Sequence, residues 1–251
     1  MKKIIATLAI LLGTAGMSFA DGPLNVSLGL TGALGLFDAT GTEKMTGTHI
    51  YKRNNSDGDE NTVNDSKTTT TTRDDMAIGY GAIFAELSSS AIPALKIGLE
   101  YVPYDLKSDT TENKRNDKIA GTDQGSESAN TDTGTSKVGI DIENMMTAYV
   151  SLHAPTDFGN VFVRAGIITA DVITDESLVT GSKYGNTSLD GTLIGIGVEK
   201  SLQDGVFVRG EVNQTSYDNM TLTNTGSTNN NTITVKDLSG NSVQVSVGKT
   251  F

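Results

Sequence analysis

Eight stretches of the sequence alternate apolar with polar side chains from one residue to the next. In the first stretch, leucine or valine stands at nearly every second position from Leu24 to Leu36, and small or polar residues such as Ser27 and Thr31 stand between them. A period of two is typical of a β-strand with one apolar face. The eight stretches cover residues 24–37, 76–87, 94–106, 137–153, 161–173, 191–202, 206–217 and 242–251. The alternation therefore predicts an all-β fold with eight strands.

The connections between these strands are of two kinds. Short connections at residues 88–93, 154–160 and 203–205 alternate with long polar ones at 38–75, 107–136, 174–190 and 218–241. In an antiparallel meander, successive connections emerge at opposite ends, so all the long ones lie at one end. Transmembrane β-barrels have this asymmetry, with short turns on one side and long loops on the other. Within the first long connection, residues 49–54 are expected to pair with 67–73 as a hairpin that extends the barrel.

Strand length also fits a membrane. A tilted strand needs about 9–11 residues to cross the hydrocarbon layer, and each stretch provides at least that many. Lipid tolerates no open sheet edge, so the eighth strand must close against the first. The sequence therefore predicts an eight-stranded antiparallel up-and-down transmembrane β-barrel.

The first twenty residues have the features of a secretory signal peptide. Lys2 and Lys3 precede an almost wholly apolar stretch at residues 4–12, and a small-x-small sequence ends at Ala20, just before Asp21. The apolar stretch is shorter than the roughly 20 residues of a membrane-spanning helix. We expect cleavage between Ala20 and Asp21, which leaves residues 21–251 as a single barrel domain with four long extracellular loops.

The amino-acid composition reduces the number of chemistries and partners that fit the chain. The chain has no cysteine, so neither a disulfide framework nor thiol chemistry is available to it. Loss of Lys2 and Lys3 leaves 17 of the 19 basic residues against 30 acidic ones, a net charge of -13. Such a charge disfavours nucleic acid as a partner, because affinity for it depends on basic contacts. The low apolar content of 36% indicates either disorder or a polar interior beneath a thin apolar exterior.

Charged residues recur on the polar faces of the predicted strands. The six are Lys96, Glu100, Arg164, Glu199, Arg209 and Glu211. The interior of an eight-stranded barrel is just wide enough to be filled by side chains, and buried charges must be paired. We therefore predict that these three basic and three acidic side chains form a salt-bridge network in the lumen. The alternative is a soluble barrel that exposes them to water.

A few further side chains are assigned less directly. Glu86 is expected to face the interior because it is charged. Tyr104 is expected on the same face as Lys96 and Glu100 by strict alternation. Asp141 and Glu143 are expected on the polar face near the long-loop rim. Asn144 and Asp171 fall on outward faces and would have to lie near the same rim.

The end of the sequence resembles a known family. The last strand, SVQVSVGKTF, alternates Val243, Val245 and Val247 with polar residues and Gly248, and it ends in Phe251. With the signal peptide and the eight strands, this is similar to the small outer-membrane β-barrels of Gram-negative bacteria, of the outer-membrane protein A and X type. Lys249 departs from the pattern, where an apolar or aromatic residue is usual.

The resemblance implies both a cellular location and partners. Phe251 and the outward valines would form the signal recognised by the barrel-assembly machinery. The protein would reside in the outer membrane, in contact with membrane lipid and lipopolysaccharide, as a monomer with extracellular loops and both termini periplasmic.

Catalytic and metal sites find little support in the sequence. His153 lies at the short-turn end of its strand, and His49 stands in a long connection without an evident serine and acid beside it. Asp57, Asp59, Glu60 and Asp65 are clustered but do not match a calcium-loop spacing, although divalent cations could bridge them to lipopolysaccharide. We therefore expect no enzyme activity, cofactor or metal site. Two functions stay open: a membrane anchor that displays surface loops, and a narrow porin-like channel for water or small solutes.

Overall fold

The structure is a computed structural model that describes residues 24–52, 60–107, 111–118, 131–177, 183–224 and 230–251. The predicted signal peptide, with its cleavage site between Ala20 and Asp21, lies outside the described residues, and so do Asp57 and Asp59. The backbone of Glu60 and Asp65 is described, but their side chains are not. In the described part of the chain, no helix is long and apolar enough to span a membrane.

Eleven β-strands account for most of the described residues. They are β1 (Leu24–Lys52), β2 (Glu60–Ser89), β3 (Ile92–Tyr101), β4 (Leu106–Lys107), β5 (Thr111–Lys118), β6 (Thr131–Thr156), β7 (Gly159–Ser177), β8 (Thr187–Ser201), β9 (Val206–Tyr217), β10 (Met220–Thr223) and β11 (Asn230–Thr250). Eight of them, β1, β2, β3, β6, β7, β8, β9 and β11, pair in that order, each antiparallel to its neighbour. The predicted eight-stranded up-and-down barrel is confirmed.

The ring is closed by the first and last strands. β11 pairs with β1 in continuous register from Ser27 opposite Thr250 to Asp38 opposite Ser239. Beyond this ladder, the backbone N–H of Phe251 donates to the carbonyl of Val26 over 2.8 Å. The terminal strand is therefore not an open edge, because its backbone groups are paired on both sides, with β1 and with β9.

The distribution of side chains is inverted relative to a soluble protein. Outward apolar side chains are widely exposed, with 62% for Leu34, 65% for Val245 and 66% for Ile167. Inward Glu86 and Arg209 are each only 2% exposed. The belt of leucine, isoleucine and valine runs around the outside of the ring, and the ionisable side chains lie inside it. This is the arrangement of a transmembrane β-barrel.

Much of the sequence predicted as long loops is strand. β1 and β2 continue past the belt as a hairpin to Lys52 and Glu60, and β4, β5 and β10 add pairs to β6 and β11. The hairpin was expected, but its predicted register is wrong: His49 lies opposite Val63, and residues 67–73 pair with 39–45. Threonine favours strands even where both sheet faces are polar, so the apolar alternation alone underestimated strand length.

Three side chains that were predicted to face the interior, those of Tyr104, Asp141 and Glu143, face outward instead. In each case the local geometry of the strand is the reason. β3 ends at Tyr101, and Tyr104, beyond it, is 48% exposed and accepts a hydrogen bond from the N–H of Gly81 on the outer face. In β6, a bulge between Glu143 and Met146 shifts the register with β7. The extra residue turns Asp141 and Glu143 to the outer face, where Glu143 lies opposite Asp171. Asn144, in the bulge at φ 53°, donates to Asp171 over 2.8 Å.

Candidate functional site

The barrel interior contains all six of the predicted charged side chains and a seventh. Lys96 and Glu100 project from β3, Arg164 from β7, Glu199 from β8, and Arg209 and Glu211 from β9. Glu86, from β2, joins them. All seven are buried or nearly so. The sequence had pointed Glu86 inward but left it out of the predicted network, because the predicted strand at residues 76–87 has no other charged residue to identify its polar face.

The first group of charges is centred on Arg209. Its two terminal nitrogens donate to the two oxygens of Glu86 over 2.9 Å each, and Nη2 also donates to Glu199 over 2.7 Å. Lys96 donates to both oxygens of Glu199 over 2.8 Å, and the hydroxyl of Tyr149 donates to Glu86 over 2.9 Å. Five strands, β2, β3, β6, β8 and β9, are thus linked by charge-assisted hydrogen bonds across the lumen.

The second group is centred on Arg164 and is looser. Arg164 Nη2 lies 3.1 Å from Glu211, and Nη1 lies 3.9 Å from Glu100. Thr31 of β1 donates to Glu100 over 3.4 Å and also bonds to Ser246 of β11 over 2.9 Å. One guanidinium therefore faces two carboxylates. Across both groups, the described interior holds three cationic side chains and four carboxylates.

Aromatic rings fill the space around the guanidinium groups. The centre of the Arg209 guanidinium lies 5.2 to 5.4 Å from the ring centroids of Phe84, Phe162 and Phe207. Arg164 lies 4.1 Å from the ring of Tyr149. Such contacts favour a cation by about 0.5 to 2 kcal/mol each, more where water is excluded. The interior is thus packed with rings and charges together.

Inward glycines make room for these rings. A methyl group added at Gly29 would overlap Phe84, and one at Gly98, Gly197 or Gly248 would overlap Tyr149, Phe162 or Phe207 respectively. Each ring therefore lies over a glycine on a neighbouring strand. This pairing of rings with glycines could not be predicted from the sequence, because it depends on the register between strands.

An apolar cluster occupies the interior nearer the long-connection end. Ala170, Val172 and Leu189 are buried there, packed against partly buried side chains that include Ile142 and Met145. The bulge in β6 has a direct effect on this cluster, because it turns Ile140 and Ile142 inward. The described lumen thus has a charged layer and, beyond it, an apolar layer.

Of the two histidines, His153 is the one whose side chain the structure describes. His153 lies inside the barrel at the short-turn end of β6, stacked on Phe162 at 5.0 Å between ring centroids and bonded to Ser151 over 3.0 Å. Ser151 is 1% exposed, so a substrate has no access to its hydroxyl. The backbone of His49 belongs to β1, but its side chain is outside the described residues. No group of three or more possible metal-ligating side chains occurs among the residues that the structure describes.

The predicted assembly residues lie on the outer surface and at its edge. Val243, Val245 and Val247 are 49 to 65% exposed and Phe251 is 54% exposed, all facing outward. Gly248 faces inward, beneath the ring of Phe207. The Nζ atom of Lys249 lies 5.4 Å from the ring centroid of Phe251. The outer face of the last strand is therefore apolar from Val243 to Val247, and Lys249 lies between these valines and Phe251.

One exposed ion pair lies near the long-connection rim. Lys107 of β4 donates to Asp141 of β6 over 2.7 Å. This hydrogen bond raises the pKa of Lys107 above its ordinary value. The side chain of Lys107 is 66% exposed, so the pair adds little to stability.

Comparison with known proteins finds similarity only among solved structures. No protein-family model and no curated protein matches the chain. The attachment invasion locus protein Ail of Yersinia pestis is 7% identical, with a TM-score of 0.36 over 89% of this chain and 99% of that one. The outer membrane protein OprG of Pseudomonas aeruginosa is 9% identical, with a TM-score of 0.37 over 89% and 96%. The outer membrane protease OmpT of Escherichia coli is 11% identical, with a TM-score of 0.40 over 94% and 99%.

Proposed function

We propose that the protein is an integral outer-membrane β-barrel that anchors its long projecting strands and loops at the cell surface. The observation that carries this proposal is the inverted distribution of side chains. Exposed apolar side chains in water would favour aggregation, whereas acyl chains are a suitable solvent for them. The closed ring satisfies the backbone hydrogen bonds that lipid cannot satisfy.

The lengths of the connections support an orientation. The short turns at residues 90–91, 157–158 and 202–205 share one end with Leu24 and Phe251, and the extended hairpin of β1 and β2 is at the other. In outer-membrane barrels the short turns are periplasmic. The termini are then periplasmic, the projecting strands extracellular, and the bacterium Gram-negative. The barrel-assembly machinery would recognise the apolar face of β11 and Phe251. Removal of Phe251 should lower the amount of heat-modifiable barrel in membranes, and unchanged amounts would count against such recognition.

The packed interior favours an anchor over a channel. A guanidinium bonded to two carboxylates, three phenylalanine rings around it and an apolar cluster beyond occupy the described lumen. The protein would act as a monomer, without a cofactor or a catalytic centre. Its function would be carried by the strands and loops outside the membrane.

A narrow channel is the second candidate, and one observation favours it. Both carboxylate oxygens of Glu211 and both amide atoms of Asn213 are buried without a hydrogen-bond partner. Buried polar groups are normally satisfied by protein or by ordered water. The looser group around Arg164 could therefore pass water or a very small solute if its ion pairs rearranged.

Planar-bilayer recording separates the two functions. Purified protein, refolded and inserted into a bilayer, should give no steady single-channel steps if it is an anchor. Insertion must be shown independently, by protection of the belt residues from added protease. Steady steps that disappear when Gly195, which faces Glu211 and Asn213, is replaced by leucine would support the channel and contradict the closed anchor.

A further inference from the structure

A cluster of buried oxygen atoms lies in the lumen where the charged layer meets the apolar cluster. It is formed by Glu211 and Asn213 of β9 and by Gln244 of β11. Glu211 and Asn213 are each 4% exposed, and Gln244 is 1% exposed. Gln244 lies directly opposite Glu211, and Asn213 is two residues further along the same inward face of β9. The three side chains therefore lie side by side on two neighbouring strands.

The register between β8 and β9 brings two of these oxygens together. Gly195 of β8 lies opposite Asn213, and as a glycine it leaves its part of the lumen open. A methyl group added at Gly195 would overlap both Asn213 Oδ1 and Glu211 Oε1. The two oxygens thus converge on the space over Gly195. A carboxylate oxygen and a carboxamide oxygen repel each other in this arrangement unless positive charge lies between them.

The oxygens of the cluster accept no hydrogen bond from the part of the chain that the structure describes. Glu211 Oε1, Asn213 Oδ1 and Gln244 Oε1 are all buried without a partner, and so is the amide nitrogen of Asn213. The amide nitrogen of Gln244 donates to the hydroxyl of Tyr80 over 3.2 Å, which leaves its oxygen as the free atom. Buried polar groups are normally satisfied. Three unpartnered oxygens on adjoining side chains therefore indicate a ligand that is itself positive.

The charges of this layer do not balance. Around Arg164, two carboxylates share a single guanidinium, whereas the group around Arg209 has two carboxylates and two cations. His153 adds no charge at about pH 8, where an imidazole is neutral. Glu43 and Glu176 also face inward by alternation, but they lie beyond the apolar cluster, toward the projecting strands. The charged layer of the described lumen therefore has one net negative charge, located beside Arg164.

A small alkali cation fits both the ligands and the charge. Hard cations are bound by carboxylate and carbonyl oxygens, and the cluster offers one carboxylate oxygen with two carboxamide oxygens. A monovalent ion neutralises the layer, whereas a divalent ion would leave an uncompensated positive charge, which is costly in a buried site. Arg164 Nη2 lies 3.1 Å from the other oxygen of Glu211, Oε2. The guanidinium and the ion would thus each take one oxygen of the same carboxylate.

The cluster is next to the point where the ring closes. β11 pairs with β9 on one side and with β1 on the other. On the β1 side, Thr31 bonds to Ser246 of β11 over 2.9 Å and donates to Glu100 over 3.4 Å. An ion between Glu211 and Gln244 would link β11 to β9 in the same way. It would therefore stabilise the last strand in its place in the ring.

We propose that Glu211, Asn213 and Gln244 form an enclosed binding site for a monovalent alkali cation, sodium or potassium. The ion neutralises the carboxylate that Arg164 leaves uncompensated and holds β11 against β9. The sequence had led us to expect no metal site, because these ligands are brought together only by the register between strands. The inference goes beyond the anchor function, and it requires the closed barrel but not the membrane.

The test measures stability in different salts. The full chain after signal cleavage is refolded in detergent at about pH 8 in sodium chloride, potassium chloride or N-methylglucamine chloride at equal ionic strength. N-methylglucamine is too large for the cluster. A ligand that binds only the folded state raises the ratio of folded to unfolded protein. We expect that ratio, from urea unfolding, to be about 10-fold higher in roughly 100 mM sodium or potassium if the dissociation constant is near 10 mM. The salt with the larger effect identifies the ion.

Variants separate the site from general salt effects. Glu211→Gln keeps the side-chain shape but removes the excess charge, so it should lose the response to sodium and potassium. In N-methylglucamine it should be at least as stable as the unmodified protein, since no carboxylate is left uncompensated. Asn213→Ala removes one ligand and should reduce the response severalfold, and it decides the question if Glu211→Gln does not refold. The control Asp141→Asn, on the outer face, should respond as the unmodified protein does.

Two outcomes would overturn the proposal. Equal stability of the unmodified protein in all three salts would mean that a proton, and no metal ion, neutralises Glu211. A full response in Glu211→Gln and Asn213→Ala, or an equal loss in Asp141→Asn, would indicate cations bound to the acidic surface. Insertion into phosphatidylcholine vesicles, measured by protease protection, is a separate readout. Failed insertion would contradict the membrane function, whereas normal insertion without a salt response would contradict this inference alone.

Discussion

At the scale of single residues, the barrel depends on how ionised side chains are accommodated in its interior. Arg209 is bonded to Glu86 and Glu199 and is surrounded by three rings, so its charge is neutralised and its two terminal nitrogens are hydrogen-bonded. A buried pair of this kind gives weak net stabilisation compared with apolar packing, but loss of one partner leaves the other uncompensated. The pair thus links β2 and β9, which are not neighbours in the sheet, across the lumen.

Replacement of one member of the Glu86–Arg209 pair should therefore be costly. We expect Arg209→Met or Glu86→Gln alone to destabilise the barrel by about 3 to 5 kcal/mol. The double variant should lose less than the sum of the two, with a coupling of about 1 kcal/mol or more. Urea unfolding of the protein in lipid vesicles measures this, with Lys107→Gln as a control that leaves the transition unchanged. Strictly additive losses would show that the two side chains do not act as a pair.

Inward and outward glycines should respond differently to the same substitution. A methyl group at Gly98 meets the ring of Tyr149, whereas one at Gly210 meets open space. We expect Gly98→Ala to cost about 1 to 3 kcal/mol, as overpacking does. Gly210→Ala should be neutral or stabilising, because strand glycine loses more chain entropy on folding. The same unfolding assay checks both, and equal effects would contradict the proposed fit of rings over glycines.

At the scale of strands, local irregularities decide where side chains point. The extra residue in β6 is held by Asn144, whose backbone has a positive φ and whose amide bonds to Asp171. A bulge reverses the alternation of side chains on one side of it relative to the other, and here it places Ile140 and Ile142 inside and two acids outside. Without it, Asp141 and Glu143 would lie in the apolar layer.

Asn144 should therefore tolerate glycine but not a β-branched residue. Asn144→Gly keeps the positive φ and loses one partly buried hydrogen bond, so we expect a small effect. Asn144→Val should cost about 1 to 3 kcal/mol, because valine is strained in that conformation. Thermal or urea unfolding of both variants measures the difference. Equal stability of the two would mean that the bulge does not depend on this conformation.

The strands and the faces of the belt could be predicted from the sequence, because lipid on one side and a crowded lumen on the other impose a strict period of two. The positions of Lys96, Glu100, Arg164, Glu199, Arg209 and Glu211 follow from that period. What could not be predicted depends on pairing between strands: the role of Glu86, the fit of rings over glycines, and the bulge that turns Asp141 and Glu143 outward. Polar strands beyond the belt were missed as well, since water on both faces leaves no apolar alternation to detect.

At the scale of the whole molecule, the closure of the strand ring and the inverted distribution of side chains depend on each other. The ring can expose leucine and valine only because every strand has two neighbours, and it can enclose four carboxylates only because three cations and several hydroxyls accompany them. The projecting sheet of β1 and β2 is an extension of this cylinder.

Site-directed spin labelling tests this central claim most directly, and the absence of cysteine from the chain makes it simple. Single cysteines at Val245 and Ile167 report the outer face, and cysteines at Ser246 and Ser151 report the interior, all in protein reconstituted into lipid vesicles. Labels at Val245 and Ile167 should be accessible to oxygen dissolved in the bilayer and inaccessible to a water-soluble nickel chelate, and those at Ser246 and Ser151 should be immobilised and inaccessible to both. Exposure of Val245 and Ile167 to the chelate, with the interior sites open to oxygen from the bilayer, would contradict the inverted barrel.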